Sequence, residues 1–137
     1  MANSTTLYTL NDGRRAVDVT ENKTLAAVDG GVVQNVLTDA ITVTLPSTAA
    51  GLVFTVRNGG DNASGTPTGS GADATVAVNL SPAAVDLING VLATPVDNKD
   101  LINTKATAMV GDEVTVTGGD ATGWNVTSIN GVWSREA

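Results

Sequence analysis

Residues 41–58 read ITVTLPSTAAGLVFTVRN. Ile41, Val43 and Leu45 alternate with Thr42 and Thr44, and after a small-residue turn Leu52, Phe54 and Val56 alternate with Val53, Thr55 and Arg57. A period of two puts each apolar set on one face of an extended strand, and β-branched residues fill most of the positions. Two such runs separated by Pro, Ser and Gly predict two strands whose apolar faces meet in one core. The intervening PSTAAG, residues 46–51, reads either as a loop or as a single turn of helix.

The same alternation recurs outward from this stretch. TVAVNL places Val76, Val78 and Leu80 together, EVTVT pairs Val114 with Val116, and WNVTSI sets Trp124 and Val126 against Asn125 and Thr127. Short β-branched runs punctuated by Gly, Asn, Asp and Pro predict an all-β protein: a single compact β-sandwich or barrel-like domain of jelly-roll type. Only SPAAVDLING, residues 81–90, carries helix signals, with Ser81 as N-cap, Pro82 in the first turn and Asn89-Gly90 as a stop, so one short helix is expected at most. Residues 58–73 hold no large apolar side chain and read as a long exposed loop. Residues 1–15 form an expected extended N-terminal arm, with Leu7, Tyr8 and Leu10 as its apolar anchors, and 16–137 form the sandwich.

Composition narrows the function. A chain of 137 residues supports one core. Its net charge of −7 repels phosphate backbones and anionic lipids, so neither nucleic acid nor membrane is an expected partner. The start of the chain has no basic and apolar signal-peptide pattern, which predicts a protein that is not exported by that route. The several Asn-x-Ser/Thr triplets are what a chain rich in these residues produces by chance.

There is no histidine and no cysteine. The common nucleophilic triads, thiolate zinc sites and histidine-ligated metals are therefore excluded. Asp112 and Glu113 are adjacent in a predicted strand and point to opposite faces, so they make no acid–base pair. The glycine-rich stretch 59–71 lacks the lysine of a phosphate-binding loop. Asp61, Asn62 and Asp73 are hard oxygen ligands in one loop, but their spacing is not that of an EF-hand. The expectation is a protein that is not an enzyme and needs no cofactor or metal.

Of the two tryptophans, Trp124 opens an alternating strand and is expected in the core, while Trp133, close to the end among polar neighbours, is the expected subunit contact. Arg14 and Arg15 lie near Asp12, Asp18 and Glu21, which predicts local ion pairs.

The order of elements carries a resemblance. Thr24-Leu25 with Asp29-Gly30, then Thr44-Leu45-Pro46 with Gly51-Leu52 and Phe54, then Gly111-Asp112, Gly123-Trp124, Gly131 and Trp133 make a pattern over residues 14–134. It resembles the head decoration, or capsid-stabilising, proteins of tailed bacteriophages; related β-modules occur in phage tail fibres. The departures are residues 118–123 and the middle region 58–105. The resemblance implies a structural virion protein, made in the host bacterial cytoplasm, that binds the outer surface of the capsid as a homotrimer. There it would bridge major capsid protein subunits. It also implies an interface role for Leu7, Tyr8, Leu10 and Trp133, with Arg14 or Arg15 pairing to acidic capsid residues. The alternative is a tail-fibre or spike module binding a host-surface glycan.

Overall fold

The structure, a computed structural model, describes residues 3–60, 77–90, 96–104, 107–120 and 122–137. Among these residues twelve strands make two sheets packed face to face: β1 (Tyr8–Thr9), β2 (Arg15–Val19), β3 (Lys23–Thr24), β4 (Val32–Val36), β5 (Ile41–Thr44), β6 (Val53–Asn58), β7 (Val78–Ser81), β8 (Leu87–Asn89), β9 (Leu101–Asn103), β10 (Glu113–Asp120), β11 (Gly123–Asn130) and β12 (Ser134–Arg135). One sheet has seven strands in the order β1-β2-β4-β6-β10-β11-β8, and the other has five, β12-β9-β7-β5-β3. The all-β sandwich is as the alternation predicts.

The connectivity is more specific than the alternation. From β2 to β7 the chain passes from one sheet to the other and back. Each strand lies parallel to its counterpart in the previous winding: β2, β4 and β6 in the first sheet, and β3, β5 and β7 in the second. This half therefore winds like a short coil, where a jelly roll would run antiparallel. Alternation has the same period in both ladder types, so it does not distinguish them. The connections do, because parallel neighbours need a long return. Here residues 20–31 make that return through β3 and a 3₁₀ turn, Ala27–Asp29. Beyond the third winding the ladders are mostly antiparallel: β10 runs against β6, β11 against β10, and β9 against β7, while β8 pairs in parallel with β11.

The inward faces supply the core. Val19, Val36, Phe54, Val56, Val114, Val116 and Trp124 from the larger sheet meet Ile41, Val43, Leu45, Val78, Leu80 and Leu101 from the smaller. Trp124 is fully buried, and its ring sits 5.5 Å from that of Phe54 at 56°. Such tilted pairs add to the burial of area alone. Gly123 precedes it because any Cβ there would collide with the backbone of Leu87 in the parallel neighbour β8.

Two expectations are corrected. The helix over 81–90 does not form: Ser81 ends β7, a turn follows, and Leu87–Asn89 pairs in parallel with Gly123–Asn125. A segment this short gains little as an isolated helix, whereas as a strand it places Ile88 in the core. Asp86, buried at the turn, accepts the Thr48 amide at 2.9 Å. Trp133 is the second correction. It is buried in the core, with its indole N–H donating to the Asn130 carbonyl at 2.9 Å, so its ring is not a surface contact. Residues 46–51 are a loop closed by the Leu52 amide on the Ala49 carbonyl.

The Trp124 indole N–H is buried without a hydrogen-bond partner among the described residues. Trp124→Ala is therefore expected to cost about 3–5 kcal/mol. Trp124→Phe should cost less, because it keeps most of the ring volume and removes an unsatisfied donor. Urea unfolding monitored by circular dichroism checks the order; equal losses would place the indole N–H in a bond.

Burial, reinforced by nearby Glu136, holds the Asp100 carboxyl above the usual aspartate value. A raised pKa in the folded state means that folding favours the protonated form. That contribution is present at low pH and is lost as pH rises through the folded value. Asp100→Asn should thus gain stability relative to the native chain as pH rises above the ordinary aspartate range. Melting temperatures of both chains between pH 3 and 8 test the sign.

Candidate functional site

The N-terminal residues shape an open cleft on the molecule. Tyr8 and Thr9 pair antiparallel with Ala16 and Arg15, through a turn in which the Leu10 amide donates to the Arg14 carbonyl at 2.7 Å. The ladder ends at Tyr8. Beyond it residues 3–7 leave the edge of β2, and Asn3 ties them down again by accepting the amides of Thr20 at 2.7 Å and Glu21 at 3.0 Å. In the single chain the arm thus lies on its own sheet.

Between arm and sheet is a cleft of about 480 Å³. Asn3, Ser4, Thr5 and Leu7 form its outer wall; Arg15 and Val17 of β2, Lys23 of β3, and Val28, Asp29 and Val32 line the rest. The floor is built by the 3₁₀ turn, which Asp29 fixes by accepting the Ala26 amide at 2.9 Å. Lys23 is held from two sides. Its Nζ donates to Oε1 of Gln34 at 2.7 Å and lies 3.7 Å from the Asp29 carboxylate. Gln34 is itself fully buried on β4, and its amide nitrogen donates to the Val32 carbonyl at 3.2 Å.

The residues singled out from sequence separate here. Leu7 and Arg15 both line the cleft. Tyr8 lies at the sheet edge, its hydroxyl donating to Asp18 Oδ1 at 2.7 Å; partial burial and then that bond hold the phenol above its ordinary pKa. Leu10 is half-buried in the turn. Arg14 is engaged within the chain, 2.7 Å from Asp12 and 2.7 Å from Glu113 on β10. The expected local ion pair is therefore present for Arg14 through Asp12, while Arg15 has no ion pair or side-chain hydrogen bond among the described residues. Sequence reading passed over Lys23, Val28 and Val32. Lys23 and Gln34 are eleven residues apart on strands of different sheets, so no local pattern joins them.

A second polar cluster sits at the opposite end. Asn58 donates to Asn103 Oδ1 at 2.8 Å, Asn103 donates to Asp112 Oδ2 at 3.0 Å, and the same oxygen accepts the Met109 amide at 3.0 Å. All three side chains belong to buried residues. Gly131 packs on the Asp112 carboxylate at φ +91°, a place where a Cβ would collide. Buried and mutually hydrogen-bonded, this cluster serves the fold.

Among the described residues no group of three or more acidic side chains is placed to hold a metal ion. Asp61, Asn62 and Asp73, the loop oxygens considered for calcium, lie outside the described residues. No described helix is long and apolar enough to cross a membrane. Comparison of the chain with protein-family models, with curated proteins and with solved structures finds no match.

Asp112→Ala removes one of the two acceptors of the buried Asn103 amide and the acceptor of the part-buried Met109 N–H, and is expected to cost about 2–4 kcal/mol. Asp97→Ala, at an exposed position, should stay within about 0.5 kcal/mol. Denaturant titration of the two variants against the native chain gives both values.

Proposed function

We propose that this chain is a structural virion protein that binds the outer surface of a phage capsid as a trimer and bridges major capsid protein subunits. The observation that carries the reading is the arm: an extended N-terminal segment that keeps Leu7 and Tyr8 exposed, 43% and 38%, on the edge of a tightly packed β-sandwich. Extended segments at sheet edges bind partners through main-chain hydrogen bonds and alternate side chains. The resemblance to head decoration proteins supplies the setting, and the absence of His and Cys from the chain agrees with a mechanical role. Trimeric attachment suits modest contacts, because each later contact forms at high effective concentration.

The glycan-binding alternative relied on exposed aromatic rings. Trp124, Trp133 and Phe54 are all buried, which leaves Tyr8 as the one exposed ring for a sugar to stack on. That favours the clamp.

Imaging of the source particle at high resolution tests the proposal, and threefold density on the head surface is the expected result. Density confined to the tail tip would overturn it. A chain lacking residues 1–13 should keep its far-ultraviolet circular dichroism and bind empty heads at least about tenfold more weakly, through loss of an edge strand. Unchanged binding would remove the arm from the interface.

A further inference from the structure

The cleft beneath the arm holds features that the sandwich does not require. Gln34 places a carboxamide at a fully buried position of β4, where an apolar side chain would pack without the cost of burying polar atoms. Its side-chain oxygen is occupied by Lys23 Nζ, so a buried polar group fixes a lysine at the cleft. Asp29 balances that lysine at 3.7 Å, which leaves Arg15 as the cleft's positive charge without a partner among the described residues. The walls around these cations are apolar: Leu7, Val17, Val28 and Val32, with Val28 85% exposed.

We infer that this cleft is a docking site for an acidic, partly apolar, extended peptide segment of a partner protein, with a carboxylate of the segment paired to Arg15. Charge complementarity selects the ligand's sign. In a protein with fourteen acidic and seven basic residues, an exposed guanidinium with no acid beside it among the described residues is a position set up for an anion from outside. The form of the ligand follows from the edge beside it. Among the described residues β2 has no ladder partner on the arm side beyond Ala16, so a segment entering between arm and sheet meets free strand edge together with apolar wall. The volume of about 480 Å³ suits the side chains of a few residues.

The test uses the full chain and a fluorescein-labelled five-residue peptide alternating aspartate and valine, with its asparagine–valine counterpart as control. Fluorescence anisotropy at low ionic strength should show binding of the acidic peptide, weakened about tenfold between 20 and 300 mM salt by screening. Arg15→Gln should weaken it by a similar factor. That residue is exposed and unpaired, so its melting temperature should match the native chain, and Arg135→Gln, remote from the cleft, should bind normally. Amide shifts in nuclear magnetic resonance should centre on Leu7, Val17 and Val28. Equal binding of the asparagine peptide, an unaffected Arg15→Gln, shifts elsewhere, or no binding at millimolar peptide would each overturn the inference. Hexanoate that shifts the same amides as strongly as the peptide would overturn the assignment to a peptide.

Discussion

A single buried carboxylate pins the two sheets to each other. Asp112 stands just before β10 in the larger sheet, yet its Oδ2 accepts from Asn103, which ends β9 in the smaller one. Asn103 in turn accepts from Asn58 at the end of β6, and also donates to the Val132 carbonyl at 3.1 Å. The backbone follows the same route, the Asn58 amide donating to the Asp112 carbonyl and the Gly111 amide to the Asn58 carbonyl, each at 2.7 Å. A network in which every member has a partner rigidifies, while a partial one destabilises. Here it fixes where the third winding stops, where the antiparallel hairpin starts, and how Trp133 enters the core.

That arrangement makes the two ends of the molecule unequal. At the late end, β10 and β11 extend the larger sheet beyond β6, and β9 with β12 extends the smaller one beyond β7, so the third winding has neighbours in both sheets. At the early end, β3 is the last strand of its sheet, and β2 is covered by a two-residue β1 only. Open strand edges invite pairing with other chains, and natural proteins blunt them with short strands or covering segments. The arm is such a cover, held by the Asn3 side chain and one short ladder. The cleft exists because that cover touches β2 at two points and stands away from it between them.

How much was legible follows from the range of the signals. Ile41, Val43, Leu45, Phe54, Val56, Val114, Val116 and Trp124 all lie on the buried face that their alternation indicates, because a period of two is local and a half-buried strand enforces it. Ladder direction was not legible, since parallel and antiparallel strands share that period. The 81–90 segment misled for the opposite reason: its capping residues are real local preferences, and pairing of Leu87–Asn89 with β11 outweighs them. Trp133 was read from its polar neighbours in sequence. Its burial depends on Asn130, Gly131 and Asp112 meeting in space, which proximity to the C-terminus conceals. In the cleft, Leu7 and Arg15 could be picked out as an apolar anchor and a charge on an arm, whereas Lys23 gains its meaning only from Gln34 on the facing sheet.

The residues that carry the resemblance divide sharply from those that line the cleft. Leu25, Leu45, Phe54 and Trp124 are core, Gly123 and Gly131 are close approaches, and Asp112 is the cross-sheet tie. Of the whole pattern only Asp29 reaches the cleft, and there it also closes the 3₁₀ turn. A pattern made of such positions specifies an architecture, because substituting any of them leaves a void, a collision or an unpaired buried group. Recognition of a partner is under a different constraint: it needs exposed side chains whose exchange leaves the sandwich intact. Leu7, Arg15 and Val28 meet that condition. On the docking proposed here, a partner's identity is written in residues that a framework pattern does not contain, so that changing the arm and the first winding alone would redirect the same sandwich to a different partner.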